Sequence, residues 1–282
     1  MTAATTPRPA VRTDFRLGTI GLIRLTLRQH RALILGTLAA GLVFVLYLLA
    51  WRQLVGGSVN ELTAYGTEGV LQYSAIGYSL VVAALWGAPL LAREYEQHTH
   101  LLVWSQDVSP TRWLLTKVAL LGVIVVGLAS AIEAVSEHVQ GQVQQSLTST
   151  GWFPNTSYLV GFEANVALQV GYALAAFALG VAIGGLVRVP VLAMVASAAV
   201  FGVIRWFVVT YARYWYLPTV QAHSFVGASD DDPMTSRLPA ARLIEFGIFL
   251  GIAALCLAIA WFGVRRSDAH RVPDRLGLQE TA

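Results

Sequence analysis

Charge is what this sequence has least of. Only 12% of its 282 residues are charged, about half of the roughly 25% usual in a soluble domain. Lysine occurs once, as Lys117. A soluble chain of this length would coat its surface with Lys, Glu, Asp and Arg, so that class is excluded. Cysteine also occurs once, as Cys256 inside an apolar run, which excludes an intrachain disulfide and a thiolate metal site. The phosphate-cradling pattern G-x-x-x-x-G-K-S/T is missing, and Gly56-Gly57-Ser58 is too short to replace it. H-E-x-x-H and G-x-S-x-G are missing too. Glu133, Glu137 and His138 crowd one region without the spacing of a metal site, and His98 with His100 supplies only two ligands. No catalytic and no metal-binding set emerges. A net charge of +3 is too small to suggest nucleic acid.

What the chain has is apolar length. Hydrophobic residues make up 56% of it, and mean hydropathy is +0.60. Crossing about 30 Å of hydrocarbon takes about 20 mostly apolar residues as a helix. Six runs qualify: 32–51, 70–92, 113–135, 164–187, 189–211 and 243–264. Backbone groups facing lipid must be satisfied within their own segment, so these runs read as helices. Alternating strands of barrel length are lacking. The expected fold class is therefore an all-α integral membrane protein with six spans in a lipid bilayer.

The arginines orient it. The first tail carries Arg8, Arg12, Arg16, Arg24, Arg28 and Arg31, and the last carries Arg265, Arg266, Arg271 and Arg275. Arg93, Arg112 and Arg188 lie in the connections after spans two and four, whereas the stretch from Ser136 to Glu163 has neither Lys nor Arg. The positive-inside rule then puts both termini in the cytoplasm. Arg213, Arg237 and Arg242 run against it. Residues 1–14 read as a disordered cytoplasmic tail, 15–266 as the six-span domain, and 267–282 as a second cytoplasmic tail. The first span starts too late for a cleaved signal peptide. From Phe15 to Arg31 the pattern is amphipathic, with Arg24, Arg28 and Arg31 grouped opposite Phe15, Leu22 and Leu25. This predicts a helix on the inner leaflet, or a plain basic flank.

One connection holds most of the loop charge: Arg93-Glu94-Tyr95-Glu96-Gln97-His98-Thr99-His100-Leu101-Leu102-Val103-Trp104-Ser105-Gln106-Asp107-Val108-Ser109-Pro110-Thr111-Arg112-Trp113. Leu91, Tyr95, His98 and Leu102 fall on one helical face, and Ser109-Pro110 breaks the pattern before span three. With the Leu-Leu-Thr-Lys117 that follows, this stretch resembles the membrane-spanning permease subunits of type 2 ABC transporters, particularly the actinobacterial branch. A second stretch agrees, from Phe177-Ala-Leu-Gly-Val-Ala-Ile-Gly-Gly-Leu-Val-Arg188 to Val-Pro190-Val-Leu-Ala-Met194. His98 and Val189 depart from the commoner pattern.

The resemblance implies that this connection is a coupling helix. Arg93, Glu94, Glu96, Thr99, Leu102 and Arg112 would engage a separate ATP-binding subunit, which holds ATP and Mg, so the chain needs no cofactor. It further implies a homodimer or heterodimer with a second permease in a bacterial plasma membrane, exporting a hydrophobic or amphipathic drug, antibiotic or lipid. The rival reading is a non-transport immunity or regulatory protein that binds a partner.

Polar residues within the spans complete the list. Glu133 and Arg205 could pair inside the bilayer, or each could snorkel to the interface. Gln72, Tyr73, Tyr78, Gln169 and Tyr172 could line a pathway or bond between helices. Ala176, Gly180 and Gly184 recur every fourth residue, a ridge of small side chains that admits close helix packing, within the chain or across a dimer.

Overall fold

The structure, a computed structural model, describes residues 19–55, 70, 74, 76–97, 109–149, 162–216 and 238–269. Regular structure among them is helical, and six helices are long and apolar enough to cross a membrane. They are α1 (Thr19–Val55), α2 (Ile76–Glu96), α3 (Pro110–Ser149), α4 (Val166–Val187), α5 (Pro190–Tyr216) and α6 (Leu238–Ala269). Five connections reverse direction in turn, so the bundle has two ends. The near end carries the α2–α3 connection and the α4–α5 turn; the far end carries the start of α4 and the end of α5.

Two helices outrun the expected spans. The 37 residues of α1 reach about 56 Å and the 40 of α3 about 60 Å at 1.5 Å per residue, well past the hydrocarbon thickness. No proline interrupts α1, so from Thr19 onward the expected leaflet helix is the opening part of one continuous helix. Its arginines do face outward: Arg24, Arg28 and Arg31 are exposed while Leu22 and Thr26 are buried against the bundle. The stretch read as a loop from Ser136 is likewise helical as far as Ser149.

The central helix is α4. It packs against α2, α3, α5 and α6, whereas α1 leans on α3. Nearly every residue from Leu168 to Gly184 is buried, as expected of a helix apolar on all sides. The small-residue ridge sits on α2 of the same chain, not on a second subunit. A Cβ placed on Gly180 would overlap the Ala83 carbonyl oxygen, and one on Gly184 the Ala88 carbonyl oxygen. Facing them, a Cβ on Gly87 would overlap the Phe177 carbonyl oxygen. The two backbones therefore touch, and only glycine permits it.

Just there α2 widens into a π-helical turn, Val82–Gly87, with Ala88 N–H bonded five residues back to the Ala83 carbonyl. Pro89 follows. A proline ring crowds the preceding turn, and the wider turn gives it room.

Sharp local chemistry sets the remaining helix ends. Asn165 caps α4, its Oδ1 accepting from Ala167 N at 3.1 Å and Leu168 N at 3.3 Å. At the other end Arg188 takes a left-handed conformation (φ 59°) and donates its N–H to the Gly184 carbonyl at 3.2 Å. Val189 is then extended, as a residue before proline must be, and Pro190 opens α5. Ser109 opens α3, its Oγ accepting from Arg112 N at 3.3 Å ahead of Pro110.

Candidate functional site

Two groups of charged side chains lie inside this bundle, one at each end. The far-end group draws on three helices and the stub before α4. Its centre is Glu245 of α6, with 0% of its surface exposed. Arg213 of α5 grips it with one edge of the guanidinium, Nε to Oε2 at 3.0 Å and Nη2 to Oε1 at 2.9 Å. Tyr216 donates its hydroxyl to Oε2 at 2.6 Å, and Tyr172 of α4 donates to Oε1. Arg213 also reaches back, Nη1 lying 2.7 Å from Glu163 Oε1. A buried carboxylate with four donors is fully satisfied, the condition under which a charge survives away from water.

Arg205 enters the same group from one side. Its Nη2 lies 3.0 Å from Glu163 Oε2 and its Nη1 3.6 Å from Glu245 Oε1. Neither contact is a hydrogen bond, so these are ion pairs by distance only. The guanidinium instead lies 3.6 Å from the centre of the Tyr172 ring, a cation–π contact, and Tyr172 in turn stacks edge-on with Phe249 at 4.7 Å.

Arg205 and Arg213 are eight residues apart on α5. On a regular helix they would diverge by about 80° around the axis. A π-helical turn, Val208–Ala212, lies between them, with Arg213 N–H bonded five residues back to Val208 O. The extra residue turns Arg213 back to within about 20° of Arg205. Both guanidinium groups thus face α4 and α6.

The pairing of Arg205 is accordingly not the one suggested by hydropathy. Arg205 pairs with Glu163 and Glu245 instead of Glu133, and it is buried instead of snorkelling. Glu163 and Arg213 read from the sequence as loop charges, and Glu245 drew no notice. Glu163 and Arg213 lie within a few residues of an apolar run, and Glu245 lies inside the sixth run.

The near-end group is simpler. Lys117 of α3, 3% exposed, pairs with Glu94 of α2 and lies 4.8 Å from the Trp113 ring centre. Arg188, in the α4–α5 turn, lies over Tyr95 at 5.0 Å. Arg93, Glu96 and Arg112 are exposed, but Glu94, expected to face a partner, is turned inward. Arg93 to Glu96 form the last turn of α2 itself. Thr99 and Leu102 lie outside the described residues, as does the rest of the expected coupling helix through residue 108. Helix-packing residues Ala176, Gly180 and Gly184 are buried in the α2–α4 seam described above. Among the described residues no group of three His, Cys, Asp or Glu is arranged to hold a metal.

With both ends described, the comparison with known families can be placed on the fold. A family model described as ABC-2 membrane transporter related matches residues 34–213, from within α1 to Arg213. The chain belongs to that family. It is therefore a multi-pass membrane protein of the permease type in an ABC transporter, a transport component that works with an ATP-binding subunit. Neither a curated protein nor a solved structure matches the chain. The match spans both stretches that carried the resemblance and stops short of Glu245, so half of the far-end group's carboxylates lie beyond it.

Proposed function

We propose that this permease exports a hydrophobic or amphipathic compound across a bacterial plasma membrane, powered by ATP hydrolysed on the separate subunit. Both termini face the cytoplasm, and two such chains, identical or different, form the pathway. The connection between α2 and α3 is the coupling segment: Arg93 and Glu96 meet the ATP-binding subunit together with Thr99, Leu102 and Arg112, while Glu94 braces the segment from inside.

One observation carries this reading. The short connection is held at both flanks, by Glu94–Lys117 across α2 and α3 and by Arg188 over Tyr95 at 5.0 Å. A push on it is therefore delivered to α2, α3 and the α4–α5 turn together. Burial of Arg213 against Glu163 and Glu245 supports the orientation too. A paired arginine carries no net charge to the outer side, so it no longer weighs against the positive-inside assignment.

The test is affinity capture of the tagged chain from its native membrane, with mass spectrometry of what co-purifies. A near-stoichiometric soluble ATPase is expected, lost on Arg93→Ala with Glu96→Ala. A folded chain that brings down no ATPase would instead favour the non-transport immunity or regulatory role.

A further inference from the structure

Among the far-end carboxylates of the described residues, Glu133 is set apart by its lack of a partner. Arg205 and Arg213 are matched by Glu163 and Glu245. Glu137 sits at the start of α4, where its Oε1 accepts from Val166 N at 3.0 Å and the helix dipole favours a negative charge. Glu133, one turn deeper on α3, is different. It is 5% exposed, yet among the described residues it has no hydrogen-bond or ion-pair partner. Its charged neighbours are Glu137 and Glu163, both carboxylates. An ionised carboxylate buried among like charges is costly, and inside a membrane such a group marks a functional position by default.

A second polar group lies at the same depth. Glu137 of α3 meets Val166 of α4, and these helices run in opposite directions, so one turn inward brings Glu133 level with Gln169. Gln169 is 2% exposed and its Nε2 has no hydrogen-bond partner. Going deeper along α3, the face below Glu133 is apolar: Ala129 and Val125 are buried at every fourth residue. The arrangement is a carboxyl group without a partner and, at about the same depth, a buried amide with an unused N–H, above apolar core residues.

We infer that Glu133 is the anionic subsite for a cationic amphiphile, taking the ammonium or other cationic group of the transported compound. This deepens the export reading and rests on it. A ligand with a single positive charge and a hydrophobic body satisfies Glu133 without disturbing the balanced pairs of Arg205 and Arg213. A neutral or anionic compound of the same shape gains nothing from Glu133.

The test uses tetraphenylphosphonium, a permanent lipophilic cation, and tetraphenylborate, its anionic counterpart of nearly equal shape. Binding to the purified full chain in nanodiscs is measured without the ATP-binding subunit. The outcome is therefore independent of whether an ATPase co-purifies, and failure of the export reading stays distinguishable. Wild type should bind the cation at least about tenfold more tightly than Glu133→Gln does, with Glu133→Asp restoring part of the loss and tetraphenylborate indifferent to all three. Glu137→Gln should change cation binding little, which separates a specific subsite from a general negative field. No cation binding by wild type would overturn the inference. So would equal binding by a folded Glu133→Gln, or a preference for the anion, and Glu133 would then be a carboxyl held for structure alone.

Discussion

The two ends of this bundle solve the same problem with different means. At the near end a single pair, Lys117–Glu94, is buried beside an aromatic ring while Arg93, Glu96 and Arg112 remain exposed. At the far end Arg213, Tyr172 and Tyr216 hydrogen-bond Glu245, while Arg205 lies against Glu163 and Glu245 by charge alone, the group being drawn from α4, α5, α6 and the stub before α4. The near end keeps Arg93 and Glu96 at the surface; the far end turns its two arginines inward onto carboxylates. A helix bundle that is pushed at one end and must move at the other needs an exposed handle and a firm tie. The first is cheap in water, and the second is held by the four hydrogen bonds that meet at Glu245.

The comparison breaks hardest at Glu245. Replacing it with Ala removes the acceptor for Nε and Nη2 of Arg213 and for two tyrosine hydroxyls, leaving two guanidinium groups buried with one remaining carboxylate. The expected loss is about 3–5 kcal/mol, read as a lowered thermal unfolding midpoint in detergent and poor recovery of folded protein. Exchanging the pair together, Arg213→Met with Glu245→Leu, should recover a large part of that loss, because no uncompensated charge remains. If the double variant is as unstable as Glu245→Ala, the group contributes by packing instead of charge balance.

Between the ends runs the α2–α4 glycine seam, and the next largest effect lies there. Gly184→Leu would drive a side chain into the Ala88 carbonyl and force two backbones apart, costing about 1–3 kcal/mol. Gly251→Leu on α6, where a Cβ meets open space, should be tolerated. Thermal midpoints of the two variants, measured side by side, test whether the ridge is structural.

How much of this could be read from the sequence differs between the ends as well. Hydropathy is a sum over some twenty residues, so the six helices were legible from composition and run length. Ser109-Pro110 marked the start of α3 by short-range chemistry. The Ala176–Gly180–Gly184 ridge was visible as a ridge, but its partner was not, since spacing on one helix says nothing about which helix faces it. The far-end group was hidden for a related reason. Glu163 pairs with Arg205 and Arg213 across some forty to fifty positions of sequence, a distance over which periodicity carries no information. The π-helical turn that aligns the two arginines leaves no composition signal at all. Glu133 and Arg205 were recognised individually as intramembrane charges, and only the three-dimensional arrangement assigned Arg205 its carboxylates. The coupling stretch was the reverse case: its charge pattern was conspicuous, yet Glu94 turned out to face inward.

The near-end pair should give a smaller effect than Glu245. In a double-mutant cycle of Lys117→Met and Glu94→Gln, the expected coupling is about 1 kcal/mol, read from unfolding midpoints. A coupling as large as that between Arg213 and Glu245 would erase the contrast between a handle and a tie.

The smallest stability effect is predicted where the functional effect is largest. Arg93 and Glu96 lie on the last turn of α2, both exposed, and neither has a buried role to lose. Alanine at both positions should change stability by no more than about 0.5 kcal/mol. If these two side chains meet the ATP-binding subunit, the same variant should nevertheless uncouple the complex: the partner fails to co-purify, and substrate no longer stimulates its ATPase. The sign of the test is unusual in that a well-folded, thermally unchanged protein is the informative outcome. A variant that keeps both its stability and its partner would move the contact to residues beyond Gln97, along the connection towards Ser109. A variant that loses both would show that the exposed handle is part of the fold after all, and the division of labour between the two ends would fall with it.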